Sequence, residues 1–430
     1  MNKLKIQNRY IPISLFFVAL FSVVFSMQEL TGLPVTNGVF WFSAQVMILF
    51  YFFKAKKYFF DKKQNKIMIW VKLYLVWNVF NIIRGLFFAE TYWDWKTLAT
   101  NGFALLVPIA CYAATNLSIL QSSFNFYLRF TLPLFVVISF LINTDAYGFY
   151  LVPISFLILF LPVIKMPWKW VVLAIGLFTV LADLTARSNV IRFVVPMAMC
   201  FLYYFRFIVS TKIYELIRKI FFITPLLFLF LAVNFDFNVF KMDEYIKGNY
   251  TEMRTDGSGN KVEDDLIADS RSFMYTEALL TANYYNSWWM GRSPARGVIS
   301  ESFGDSDLNK RGERASNEMA IANVFNWTGI IGVILYFMVF YKASYLAINK
   351  SNSVFSKIMG IFVAFRWVYA WVEDANYFNL TYFILWFMLG ICYSSSFRKM
   401  NDREVKEWVR GIFEKKKPMP KKMMFKSYNL

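Results

Sequence analysis

"RASNEMAIANVFNWTGIIGVILYF" (Arg314–Phe337) begins as a polar segment and ends as a hydrophobic one. From Met319 to Tyr341 it carries no charged residue, enough chain for the ~20 apolar residues that a helix needs to cross a bilayer. Reading outward from this 319–341 run, similar runs recur at 11–27, 38–53, 67–88, 98–114, 126–142, 147–164, 168–182, 190–209, 219–235, 354–371 and 377–396. Hydrophobic residues make up 58% of the 430, and the mean hydropathy of +0.43 is too apolar for a soluble chain of that size. The expected fold is an all-α polytopic membrane protein of about twelve transmembrane helices.

The connections sort by charge. Cytoplasmic loops collect Lys and Arg, and "KAKKYFFDKKQNK" (Lys54–Lys66) is dense in lysine while Gln28–Asn37 has no basic residue. The alternation continues through Lys165 and Lys169, then Arg206, Lys212, Arg218 and Lys219, then Lys342, Lys350 and Lys357, and ends in "EKKKPMPKKMMFK" (Glu414–Lys426). This predicts both termini in the cytoplasm and residues 236–317 on the outer face. Lys3, Lys5 and Arg9 precede the first span as in a secretion signal, but no small-residue cleavage site follows near Ser26–Glu29, so the span reads as a retained anchor. The expected organisation is a bundle at 1–235, an outer insert at 236–317, spans at 318–396 and a basic tail at 397–430. The net charge of +18 is then a topology signal and an attraction to anionic headgroups, not a nucleic-acid surface.

Cys111, Cys200 and Cys392 all fall inside predicted spans, which argues against a disulfide framework or a thiolate metal site. The chain has no histidine. That excludes Ser-His-Asp hydrolysis, imidazole-ligated zinc and histidine-dependent acyl transfer, leaving carboxylates, Arg, Lys, Tyr or Ser to carry any chemistry. No acidic metal-binding motif is evident, and no cofactor is expected.

A connection as long as 236–317 is uncommon without a function. Within it, Asp269–Trp289 reads as an amphipathic helix, capped by Asp269 or Ser270 and stopped near Gly291. Arg271 falls in its first turn, where a cation works against the helix dipole, so helix stability does not explain it. Arg292 and Arg296 follow in "GRSPARG" (Gly291–Gly297), open to either a ligand or solvent. Tyr284, Tyr285, Trp288 and Trp289 suit either sugar stacking or anchoring at the headgroup level. In "LADLTARSNVIRF" (Leu181–Phe193), Arg187 and Arg192 form a positive pocket for an anionic headgroup or pair with Asp183; guanidinium suits phosphate because its planar fork donates two parallel bonds. Arg84 and Arg129 lie near span ends and read as snorkelling charges. Ser316 reads as the N-cap of the re-entering helix, with Glu318 in its first turn and Gly329 and Gly332 allowing close helix approach.

Taken together, "LTARSNVIRF" (Leu184–Phe193), "SRSFMYTEALLTANYYNSWWMGRSPARG" (Ser270–Gly297) and "NEMAIANVFNWTGIIGVILYF" (Asn317–Phe337) resemble, in order and spacing, the bacterial O-antigen polymerase and O-antigen ligase superfamily. By position, Arg187 matches that superfamily's first arginine, Arg271 its insert arginine, Tyr275 its aromatic, Gly291 its turn glycine, and Gly329 and Gly332 its glycine pair. Glu318 stands where the superfamily has a histidine that is tied to activity in the ligases, so the resemblance favours the polymerases.

The resemblance implies a metal-independent glycosyltransferase of the bacterial inner membrane that joins undecaprenyl-pyrophosphate-linked oligosaccharides into O-antigen, capsule or exopolysaccharide. Membrane lipids and a chain-length regulator are its expected partners, with no nucleic acid. Arg187 and Arg271 would stabilise the charge growing on the leaving pyrophosphate. Glu318, or else Asp269, would take the acceptor's proton. Arg192, Arg292, Arg296, Tyr275, Trp288 and Trp289 would bind substrate. A ligase-type transferase and a polysaccharide flippase are the competing expectations. The lack of an internal repeat and the single large outer insert weigh against the flippase.

Overall fold

The computed structural model describes residues 2–24, 38–56, 66–184, 186–235, 240, 251–255, 261–265, 271–302, 308–373 and 376–414. Among these the chain is mostly helical, with four short strands in two antiparallel pairs. The helices before the insert are α1 (Asn2–Val24), α2 (Gly38–Lys56), α3 (Ile69–Leu86), α4 (Tyr92–Leu106), α5 (Ala110–Ala114), α6 (Leu117–Phe126), α7 (Leu132–Ile138), α8 (Tyr147–Ile158), α9 (Trp168–Ala182), α10 (Arg187–Cys200) and α11 (Thr211–Asn234). The insert contributes strands β1 (Thr251–Thr255) and β2 (Lys261–Asp265), helix α12 (Ser272–Tyr284), and strands β3 (Val298–Ile299) and β4 (Glu313–Arg314). Helices α13 (Ala320–Asn349), α14 (Val354–Tyr369), α15 (Leu380–Tyr393), α16 (Ser395–Lys399) and α17 (Asp402–Phe413) complete the chain.

Every predicted apolar run contains helix, but not every run is one long rod. Three stretches are long and apolar enough to cross a membrane: Gly38–Ala55, Tyr92–Ala114 and Ala320–Asn349. The second joins α4 to α5 through a 3-10 turn at Val107–Ile109, where Pro108 lacks the N–H that would continue the ladder. Shorter apolar helices occupy Tyr10–Val24, Thr144–Ile158, Trp168–Ala182 and Leu380–Tyr393. The 190–209 run is cut short: α10 ends at Cys200 and passes into a 3-10 turn at Phe201–Tyr203. The 126–142 run opens with a five-residue π-helical turn at Tyr127–Thr131 before α7.

Helix α15 is buried along its whole length and packs against α5, α13 and α8, so it forms the axis of one continuous apolar core. Helix α13 lies along α14, α3 and α15. The region after Phe397, expected as a tail, begins with helices packed on the bundle. Asn401 and Glu404 form a capping box that starts α17, whose apolar side (Val405, Trp408, Val409, Ile412) is buried. Trp408 Nε1 donates to Leu117 O (3.2 Å), and Gln121 Nε2 donates to Trp408 O (2.7 Å).

Candidate functional site

Helix α13 is broken at Gly329, which has φ +69°, and the break is filled by the insert. Residues 288–292 cross the helix there. Ile330 N donates to Trp288 O (2.8 Å), Ile331 N to Trp289 O (3.4 Å) and Arg292 N to Asn326 O (2.6 Å). A Cβ on Gly329 would stand 2.2 Å from Trp289 O, and one on Gly291 (φ +68°) would stand 2.6 Å from Asn326 O. The glycines therefore let two backbones touch, which goes beyond the close helix approach expected of Gly329. Helix α3 closes the crossing from the other side. Trp77 Nε1 donates to Thr328 O (2.9 Å), and Arg84 donates to Met290 O (2.7 Å) and to Gly291 O. Arg84 is thus a backbone clamp and not a snorkelling charge. The carbonyls of Asn326 and Thr328 and the N–H groups of Ile330 and Ile331 around the break are thus paired, as buried backbone requires.

Below this crossing the insert is fastened by ion pairs. Arg292 Nη2 meets Glu313 Oε1 at 2.8 Å, its Nη1 donates to Gly297 O (2.6 Å), and its guanidinium lies 3.7 Å from the Tyr285 ring centroid. Arg296 pairs with Glu90 (3.2 Å) and Asp94 (3.8 Å). Arg311 joins them, with contacts to Asp94 at 2.9 and 3.1 Å and to Glu90 at 3.0 Å. The Asp94 hydrogen bond raises the Arg311 pKa, so this guanidinium stays charged. Arg292 and Arg296, expected to bind substrate, are accordingly turned into the protein. They fasten the 291–297 turn to β4, to the α3–α4 connection and to the start of α4. Trp288 packs edge-on against Phe325 (5.7 Å). Trp289 is exposed.

A second charged cluster forms where the insert meets the ends of α13 and α14. Helix α12 begins at Ser272, with Arg271 itself in the N-cap position and no side-chain cap. It is shorter than the expected Asp269–Trp289, and Asp269 lies outside the described residues. Arg271 Nε donates to Val372 O (2.9 Å), and its Nη2 lies 3.4 Å from Glu318 Oε2 and 3.8 Å from Glu373 Oε2. Arg314 approaches the other Glu318 oxygen at 3.5 Å. Tyr275, one turn along α12, donates its hydroxyl to Trp371 O (2.5 Å) and stacks on the Trp371 ring and on Phe240. Burial pushes the Tyr275 pKa up, against a smaller opposite effect of Arg271, so the hydroxyl keeps the proton it donates. Met274, Met319 and Ala322 form a small apolar cluster that seats α12 on α13.

Glu318 does not sit in a helical first turn. Helix α13 starts at Ala320 behind Met319, without a side-chain cap. Ser316, expected to cap it, instead meets Tyr377 (3.2 Å). The first N–H groups of α13 find partners at the end of α14: Ala320 N donates to Glu373 O (3.2 Å) and Ile321 N to Ala370 O (3.1 Å). Helix ends leave such groups unpaired, and joining them head to tail presents Glu318 between two guanidiniums as their counter-ion.

The motif that holds Arg187 is tied to the same segment through Ser188. Arg187 is the first residue of α10, a helix that also lacks a side-chain cap, and it is exposed. Asp183 accepts from Ala186 N (3.1 Å) and from Thr144 Oγ1 (3.2 Å), which shapes the turn into the helix. Tyr369 donates its hydroxyl to Ser188 O (3.2 Å), so the start of α10 is tied to the end of α14. Residues 369–373 therefore touch both arginine motifs. Arg192 is only 3% exposed, with Nη1 on Asn189 Oδ1 (2.9 Å) and its guanidinium 5.1 Å from the Phe149 ring centroid. It is packed into the bundle, whereas Arg187 is exposed.

Of the residues expected at a site, then, Arg271, Tyr275 and Glu318 come together, while Arg187 is linked to them only through its neighbour Ser188, whose carbonyl accepts from Tyr369. Arg314 and Glu373 are members that the motif reading missed. Arg314 stands four residues before Glu318, a spacing that offered the signal; Glu373 joins only through tertiary contact. Among the described residues no group of histidine, cysteine or carboxylate side chains is arranged to hold a metal ion. No protein-family model, curated protein or solved structure matches the chain.

Proposed function

We propose that the protein is a membrane glycosyltransferase of about twelve spans that polymerises undecaprenyl-pyrophosphate-linked oligosaccharide units at the outer face of a bacterial cytoplasmic membrane. The observation that carries this reading is the Arg271–Glu318–Arg314 cluster at the junction of insert and bundle. Its ion pairs are long and partly exposed, so an incoming pyrophosphate can replace a carboxylate at the guanidiniums. As the anomeric C–O bond breaks, negative charge grows on the leaving pyrophosphate, and fixed cations at a low-dielectric boundary stabilise it. Arginine remains charged there and donates a fork of hydrogen bonds. Glu318 is the nearest carboxylate to receive the acceptor hydroxyl's proton.

Reconstitution with lipid-linked repeat units tests the reading. Longer lipid-linked chains support polymerisation. Transfer to a different acceptor indicates a ligase, and movement across the bilayer without new bonds indicates a transporter. Arg187→Ala and Arg271→Ala should each slow chain growth at matched abundance. The double variant should be worse by less than the product of the two, since groups acting on one leaving group are non-additive.

A further inference from the structure

Helix α12 carries large apolar side chains on its outer side as well as on its packed one. Met274, Ala278, Thr281 and Ala282 are buried against protein. The opposite side exposes Leu279, Leu280 (63% exposed) and Tyr284 (75%), with Thr276 and Asn283 as the polar residues among them. A helix face in water is predominantly polar, so large apolar side chains standing out on that face point to an apolar cover. No charged residue occurs from Ala278 to Gly291. The exposed apolar surface then continues past the helix through Trp289 (67%) and Met290.

Its position fixes what covers it. Trp289 is bonded through its carbonyl to Ile331 of α13, a helix long and apolar enough to span a membrane, and exposed Ile334 lies about one turn further along that helix. On the other flank, Arg84 holds the carbonyls of Met290 and Gly291, beside exposed Leu86, Phe87 and Phe88. The outward apolar surface of two bundle helices thus runs onto the insert. Tyr and Trp are the residues that favour the headgroup level, and an apolar helix face lying in the plane of that boundary binds by the area it buries.

We propose that α12 and residues 284–290 lie in the headgroup–acyl boundary of one membrane leaflet, with Leu280, Tyr284 and Trp289 facing phospholipid. The insert is then a monolayer-embedded element whose Arg271 end is held at leaflet height. This inference is independent of the chemistry proposed above.

The test is spin labelling of Leu280→Cys and, separately, Tyr284→Cys in the full-length protein. The carrier is nanodiscs of phosphatidylethanolamine and phosphatidylglycerol. Cys111, Cys200 and Cys392 are buried and leave little background. At both positions, collision with dissolved oxygen should exceed collision with a water-soluble nickel chelate several-fold. Greater access for the nickel chelate would place the face in water and overturn the proposal. Low access to both reagents would show that a second copy or another protein covers it, and would overturn it equally. Two positions keep the test decisive if one variant fails to fold.

Discussion

Arg292 meets Glu313 at 2.8 Å with side-chain exposures of 7% and 2%, whereas Arg271 meets Glu318 at 3.4 Å with exposures of 18% and 44%. Both pairs start from an arginine of the same insert and use the same two chemical groups. The first is a short, dry contact, backed by the Gly297 carbonyl and the Tyr285 ring, with little room for another ligand. The second is long, shared among Arg271, Arg314, Glu318 and Glu373, and open to solvent on one side. Removing one partner of a buried pair strands a charge. A part-exposed pair contributes little to stability and can exchange its counter-ion. Geometry, not residue type, separates the fastener from the candidate site.

The sharpest way to break this contrast is Glu313→Ala. It leaves Arg292 buried without its carboxylate, at a cost of about 3–5 kcal/mol, and folded protein should be lost from detergent extracts run on a sizing column. A monodisperse, thermally unchanged variant would put the two pairs in one class. Arg271→Ala should behave in the opposite way. Folded protein should remain while about 2–4 kcal/mol of transition-state stabilisation disappears, roughly a 30- to 1000-fold fall in the rate of chain growth. Arg271→Lys should recover little of that, because an ammonium keeps the charge without the fork. Near-normal polymer from Arg271→Ala would remove the site.

Gly329→Ala addresses the crossing that lies between the clusters. A side chain forced into positive φ costs about 1–3 kcal/mol, and here it also meets Trp289 O at 2.2 Å. The melting temperature should drop, with activity per folded molecule falling less. The smallest stability effect belongs to Glu318→Gln, below about 1 kcal/mol for so exposed a pair, with turnover reduced more than abundance. Normal turnover from this variant would leave Glu318 as a counter-ion only.

Much of the helical layout was legible because apolar run length is a local property. Each run from 11–27 to 377–396 holds helix, and Trp168–Ala182 has the expected limits. What failed to read was local irregularity and distant pairing. The end of α10 at Cys200 and the start of α13 at Ala320 depend on turns and on neighbouring carbonyls, which hydropathy does not register. Arg271, Arg292 and Arg296 look alike in a string of letters. Only their partners tell them apart, and Glu90 and Asp94 lie just before and at the start of α4, far upstream of Arg296. Arg271 stood out for a physical reason, an arginine at a helix start, and that reason survives in its N-cap position.

The exchange of hydrogen bonds at Gly329 bears on how the protein can be re-engineered. Residues 288–292 supply acceptors and a donor to the backbone of α13, so the insert is spliced into the bundle and is not an appendage. Deleting it, or grafting one from another protein, would leave peptide groups of α13 without partners. A chimera that preserves the bundle must therefore carry Trp288–Arg292 together with Gly329 as one inseparable unit.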